Sequence, residues 1–176
     1  MLETIVGIIV GITIILFIYV IINNKFQLVI IKIDKADEDI DMYLMKKQEL
    51  LNRARPIVKK ELKLEEFLEE LDNEFEEQKN LENHNKLKSS YNELFKILDE
   101  NEKLMKSESL VSILEQLNTN EENIIGAIKF YNDTVVEFNR LIVSFPSNIL
   151  GFLKRYKKLE FYNNERREIF EILNVK

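Results

Sequence analysis

The sequence predicts an all-α protein: an N-terminal transmembrane helix followed by long amphipathic helices. Three observations carry this. Only two Pro and four Gly interrupt 176 residues, so little in the chain opposes helix. Charged residues make up 32% and hydrophobic residues 45%, the balance of long amphipathic helices. Apolar side chains recur by threes and fours along most of the length, and one uncharged run near the start has the length of a membrane span.

Composition also removes several function classes. Without Cys there is no disulfide, no thiolate metal site and no thiol nucleophile, and the single His84 excludes a multi-His metal centre. A net charge of -6 lacks the basic surplus that nucleic-acid binding needs, so no nucleic acid is expected as a partner.

The uncharged run is Ile5 to Ile22, "IVGIIVGITIILFIYVII", with polar side-chain groups only at Thr13 and Tyr19. As a helix its eighteen residues cover about 27 Å, close to a bilayer's hydrocarbon core of roughly 30 Å. A cleaved signal peptide is the competing reading. No Lys or Arg precedes the run and "IINNK" follows it in place of a small-residue cleavage site, so an uncleaved anchor over residues 1–24 is expected, with a helical domain over 25–176. Lys25, Lys32 and Lys35 follow the span while only Glu3 and the terminal amine precede it, which predicts the N-terminus outside and the domain in the cytoplasm. Gly7 and Gly11 form a small-xxx-small pair, a candidate surface for packing of two spans into a homo-oligomer, although glycine is common in spanning helices anyway.

Beyond the span, Ile33, Ala36, Ile40, Leu44, Leu51, Ala54 and Val58 step by threes, fours and a single seven, the stripe of one long helix. Pro56 is expected to kink or restart it. Leu64, Phe67, Leu68, Leu71 and Phe75 extend the period, and the glutamates between them read as a solvated face of an acidic stretch, 61–82, whose role the sequence does not reveal. Polar clusters near residues 83, 101 and 120 are the candidate breaks that follow, with His84 in an exposed polar turn and Ser107 or Thr119 as helix caps. Between the breaks, Tyr91, Leu94 and Leu98, then Leu110, Ile113, Leu114 and Leu117, mark a helix-turn-helix pair.

Ile124, Ile128, Tyr131, Val135, Phe138, Ile142 and Phe145 then alternate by four and three, a coiled-coil-like seam. Tyr131, Phe138 and Phe145 are expected to fill its core, and Asn132 and Asn139, seven apart, to hydrogen-bond a neighbouring helix beside it. Pro146 ends the seam and Ser147 or Asn148 starts the next helix.

The same stretch, "YNDTVVEFNRLIVSFPSN", resembles the C-terminal signature of the LemA family, roughly Y-N-x-x-V-x-x-Y-N-x-x-I-x-x-F-P-x-N. Tyr131, Asn132, Val135, Asn139, Ile142, Phe145, Pro146 and Asn148 match directly, and Phe138 replaces the second Tyr. "IDKADEDIDMYLMKKQELL" is similar to the family's start at Asp34, Ala36, Lys46, Lys47, Glu49 and Leu50, and "LVSILEQL" stands in the place of its third helical stretch. The chain departs where Asn52 replaces an expected Pro, and where "ENEK" replaces an aromatic-Pro pair. The resemblance implies a single-pass bacterial membrane protein with an extended antiparallel bundle of about four long helices, and brings no catalytic residues with it.

A search for chemistry agrees. The glycines are too scattered for a phosphate-cradling loop, and Leu81 stands where a Glu-x-x-His would need its Glu. No catalytic, metal or cofactor site is expected, and the chain is read as a non-enzymatic interaction or scaffold component that binds lipid through its anchor and other envelope or membrane proteins through its bundle. The alternative is a membrane-associated sensor or regulatory module responding to a ligand or envelope state. Lys154, Arg155, Lys157 and Lys158, beside Ile149, Leu150, Phe152, Leu153 and Tyr156, form a candidate membrane-surface patch, set against an ordinary bundle helix with solvated lysines.

Overall fold

The computed structural model describes residues 1–63 and 81–162, and all of its regular elements there are helical. Helix α1 spans Leu2–Leu62 and α2 spans Leu81–Glu100. A short 3-10 helix, Glu102–Lys106, leads into α3, Glu108–Val143, and α4 covers Ser147–Leu153. The all-α prediction holds. The acidic seam from Leu64 to Phe75 lies outside the described residues.

Three expected boundaries differ. Pro56 neither breaks nor restarts α1. Its lost hydrogen bond falls toward the carbonyl of the exposed Asn52, which water can satisfy, while Ala54 and Val58 on either side are fully buried and hold the helix to the core. The polar cluster near 120 is not a turn, because its side chains find partners that leave α3 intact. Thr119 Oγ1 donates back to Glu115 O at 3.0 Å, and Asn118 and Asn120 bond to other helices. His84 stands within α2 rather than in a turn. The break at Asn101 does occur, and Ser107 caps α3 by accepting from Leu110 N at 3.4 Å.

By contacts the chain forms two compact units, Asp37–Lys129 and Met1–Ala36 with Phe130–Lys176, and α1 and α3 each contribute to both. In the Asp37–Lys129 unit, Leu50, Leu51, Ala54 and Val58 of α1 bury against Leu87, Leu94 and Leu98 of α2, Leu104, and Leu110, Ile113, Leu114 and Leu117 of α3. Apart from Leu50, Leu87 and Leu104, these belong to the stripes read from spacing, now facing one another as a three-helix core.

In the other unit, Phe26, Val29 and Ile33 of α1 pack on Val135, Phe138 and Leu141 of α3 and Leu150 of α4. Phe26, Phe138 and Tyr156 form a three-ring cluster with centroids 5.1 to 5.9 Å apart. Gly151 brings α4 close to this cluster, since a β-carbon there would stand 3.5 Å from Ile142 Cα and 3.7 Å from Phe26 Cζ. N-terminal to Ile22, α1 leaves its apolar side chains exposed, and it is one helix long and apolar enough to cross a membrane.

Candidate functional site

Two clusters of polar side chains stand out, one in each unit. In the Asp37–Lys129 unit a polar layer interrupts the apolar core. Lys47, 1% exposed, donates to Glu121 Oε2 at 2.6 Å, and its ammonium also sits 4.5 Å from the centre of the Tyr91 ring. The Tyr91 hydroxyl donates to Asn118 Oδ1 at 2.9 Å, and the buried Asn120 Nδ2 donates to Tyr43 O at 2.9 Å. All three helices therefore join at this level.

Burial holds the Lys47 ammonium below its ordinary value of 10.5, the hydrogen bond and charge of Glu121 pull it back up, and Lys88 adds a small lowering. Tyr91 moves the other way, raised above 10.0 by burial and then by the Glu121 carboxylate. Beside the layer an open groove of about 560 Å³ runs between α1 and α3, lined among others by Met42, Lys46, Leu50, Gln116, Thr119 and Asn123.

This layer escaped the reading from sequence, yet a signal was present. The α1 stripe steps from Leu44 to Leu51 in one seven, and the position it skips, three after Leu44 and four before Leu51, is Lys47. Asn120 is likewise the position between Leu117 and Ile124 on α3. A polar residue in a seam position marks register rather than a solvated face.

The second cluster is the motif from Tyr131 to Asn148. Among the described residues, Asn132 and Asn139 bond to the chain that returns after α4, where a neighbouring helix was expected. Asn139 Oδ1 accepts from Leu159 N and its Nδ2 donates to Leu159 O, both at 2.8 Å, while Asn132 Oδ1 accepts from Tyr162 N at 2.9 Å. Tyr131 meets Tyr162 edge-on at 6.0 Å. Val135 and Phe138 are buried and Tyr131 and Ile142 pack half-buried against them.

Phe145 is a correction to the expected seam: it is 80% exposed. Helix α3 stops at Val143, so the four-three period ends before it reaches Phe145, and a cis peptide bond joins Phe145 to Pro146. Ser147 Oγ shares its proton between Leu141 O at 2.7 Å and Ser144 O at 2.8 Å, and Asn148 Oδ1 is buried with no hydrogen-bond partner.

The basic patch is placed outside a regular helix. Only Ser147–Leu153 is helical, and Lys154, Arg155, Lys157 and Lys158 follow it in a turn and an extended stretch, all exposed. The turn is a Schellman cap in which Arg155 N donates to Phe152 O and Tyr156 N to Gly151 O. Arg155 takes the left-handed position, φ 56°, which usually falls to Gly and costs a side-chain-bearing residue about 1–2 kcal/mol. Gly7 and Gly11 lie on α1 with open space around them. Among the described residues no three His, Cys, Asp or Glu side chains come together as a metal site.

No curated protein and no solved structure matched the chain. A family model described as the LemA family does match it, over residues 36–176, which takes in the polar layer, the asparagine clamp and the basic turn alike. On that match, which spans well over half of its length, the chain belongs to the LemA family.

Proposed function

We propose that this chain is a single-pass, membrane-anchored scaffold whose helical domain lies on the cytoplasmic side and presents a helix-lined face to other membrane or envelope proteins. The observation that carries this reading is the continuity of α1. Its exposed apolar run passes into the buried stripe of Phe26, Val29 and Ile33 within one helix, Leu2–Leu62, so no break in the helix separates the proposed span from the packed residues that follow it. The groove between α1 and α3 gives such a face both apolar and hydrogen-bonding groups. Gly7 and Gly11 offer a close-packing surface for a second copy within the bilayer.

Quantitative recovery of cross-linked partners from membranes tests the scaffold. A defined set of proteins should be captured by the wild type and lost when Lys46, Gln116 and Asn123 are replaced by Ala; a set unaffected by those changes overturns the groove as the contact face. A reporter fused at Lys176 should be active only in the cytoplasm. Activity only outside would reverse the orientation.

A second reading, a regulatory module that shifts its helix packing, draws support from the polar layer, where Lys47, Glu121, Tyr91 and Asn120 replace close apolar packing. Two arrangements of the helices would be nearest in energy at such a level. Under this reading the melting temperature of the purified chain moves on addition of one fraction of a cell extract, and under the scaffold reading it moves only with protein partners.

A further inference from the structure

The end of the second unit at which α3 stops carries a surface that the scaffold does not use. Pairs across α1 and α3 run in opposite directions, Lys32 with Glu137 and Phe26 with Phe138, so the end of α3 at Val143 is level with the last apolar residues of the proposed span. Ile22 packs against the same core, and Lys154 Nζ donates to Asn23 Oδ1, which fixes the turn after α4 to the residue that follows Ile22. After that turn the chain leads away again, from Leu159 on Asn139 to Tyr162 on Asn132. Helix α4 is therefore the tip of the packed part of this unit, at the level where α1 becomes wholly apolar and exposed.

That tip is unusual in two ways. Phe145, Ile149, Phe152 and Leu153 are all exposed, Phe152 to 84% and Leu153 to 68%. Between Val143 and Lys158 there are four basic residues and no acidic one, in a chain whose net charge is -6. Apolar side chains next to a basic turn fit an anionic bilayer surface, where rings enter the headgroup boundary and ammonium and guanidinium groups meet phosphates. Arg155 adds to this, because it keeps a charge at a backbone position that glycine fills with less strain.

We propose that α4 and the turn Lys154–Lys158 form a second, in-plane contact with the membrane, with Phe145, Phe152 and Leu153 in the interface and Lys154, Arg155, Lys157 and Lys158 on anionic lipid headgroups. The proposal rests on the anchored reading of Ile5 to Ile22 and adds a contact that fixes the domain against the bilayer.

The chain has no Trp, so a single introduced one reports on its own site. The full chain carrying Phe152→Trp or Phe145→Trp, both at exposed positions, is reconstituted in phosphatidylcholine vesicles with or without phosphatidylglycerol, and Phe130→Trp serves as the control, at an exposed position thirteen residues before the end of α3. In anionic vesicles the two tip tryptophans should emit to the blue, be quenched by lipids brominated high on the acyl chain and resist acrylamide, while the control shows the reverse. Changing Lys154, Arg155, Lys157 and Lys158 to Gln should remove the difference between anionic and neutral vesicles. Tip tryptophans open to acrylamide in a protein that stays with the vesicles through an alkaline carbonate wash overturn the second contact and leave the anchor standing. Tip emission to the blue that neither quencher affects puts a protein, such as a second copy, over the surface and overturns the lipid assignment. Release of the protein by the wash overturns the anchor and this contact together.

Discussion

Lys47 shows at the scale of one residue how a stabilising partner and a desolvation cost compete. The pair with Glu121 is buried on the lysine side and a quarter exposed on the glutamate side. Glu121→Gln should cost about 3 kcal/mol, the low end for breaking a buried pair, because it leaves the ammonium without its counter-charge. Lys47→Met together with Glu121→Gln should recover most of that loss, since no buried charge remains; chemical denaturation of the three proteins in detergent measures it. The pH dependence follows from the sign of the shift. A lysine lowered in the folded state releases its proton earlier than in the unfolded state, so stability rises with pH through the window below 10.5. Tyr91, raised, makes stability fall above about 10. Measured below that point, the stability of the wild type relative to Lys47→Met should therefore increase with pH; a difference independent of pH would mean that the ammonium is not desolvated. Lys47 was legible only as a gap in a stripe, because spacing alone does not say whether a skipped position is solvated or buried.

Among the elements, α1 was read from its period and the start of α4 from Pro146 and Ser147, while α3 was read in two pieces broken near residue 120. Periodicity identifies a helix where one face is buried over several turns, as with Leu110, Ile113, Leu114 and Leu117. It failed at Phe145, where the chain had already left the helix, and it failed at residue 120, where polar side chains resemble a turn but bond within the bundle. Phe138→Ala should cost about 3–5 kcal/mol by removing a ring packed on Phe26 and Tyr156, whereas Phe145→Ala should leave stability in detergent nearly unchanged. Equal losses in thermal melts of the two variants would restore the longer seam. The return stretch rests on the two asparagines, whose partners are backbone groups and so invisible to any residue pattern. Asn139→Ala removes a donor and an acceptor from Leu159, and amide exchange should quicken at Leu159 and Tyr162 while the α3 core keeps its protection.

For the whole molecule, the sequence reading sets an anchor over residues 1–24 apart from a domain over 25–176. Among the described residues, every fully buried core side chain lies at or beyond Phe26, and of those before Lys25 only Ile22 packs on a core, half-buried. The fragment Lys25 to Lys176 should therefore fold cooperatively. Losing the contacts of Ile22 costs about 1 kcal/mol by the area it covers, which for a domain of this size lowers Tm by roughly 2–4 °C. The loss of Asn23 frees Lys154 but removes only one exposed hydrogen bond. The same cut exposes a contrast in charge: removing Glu3 with the anchor takes the net charge from -6 to -5, and the +4 between Val143 and Lys158 leaves -9 on the rest of the fragment, so the body should repel an anionic bilayer while the tip is drawn to it. Sedimentation with anionic vesicles should then show binding of the fragment at low salt that is lost at high salt, where screening shortens the reach of both forces. A broad, non-cooperative melt of the fragment would show instead that the apolar run of α1 is required for the Phe26 core to form, and that anchor and bundle are one folding unit.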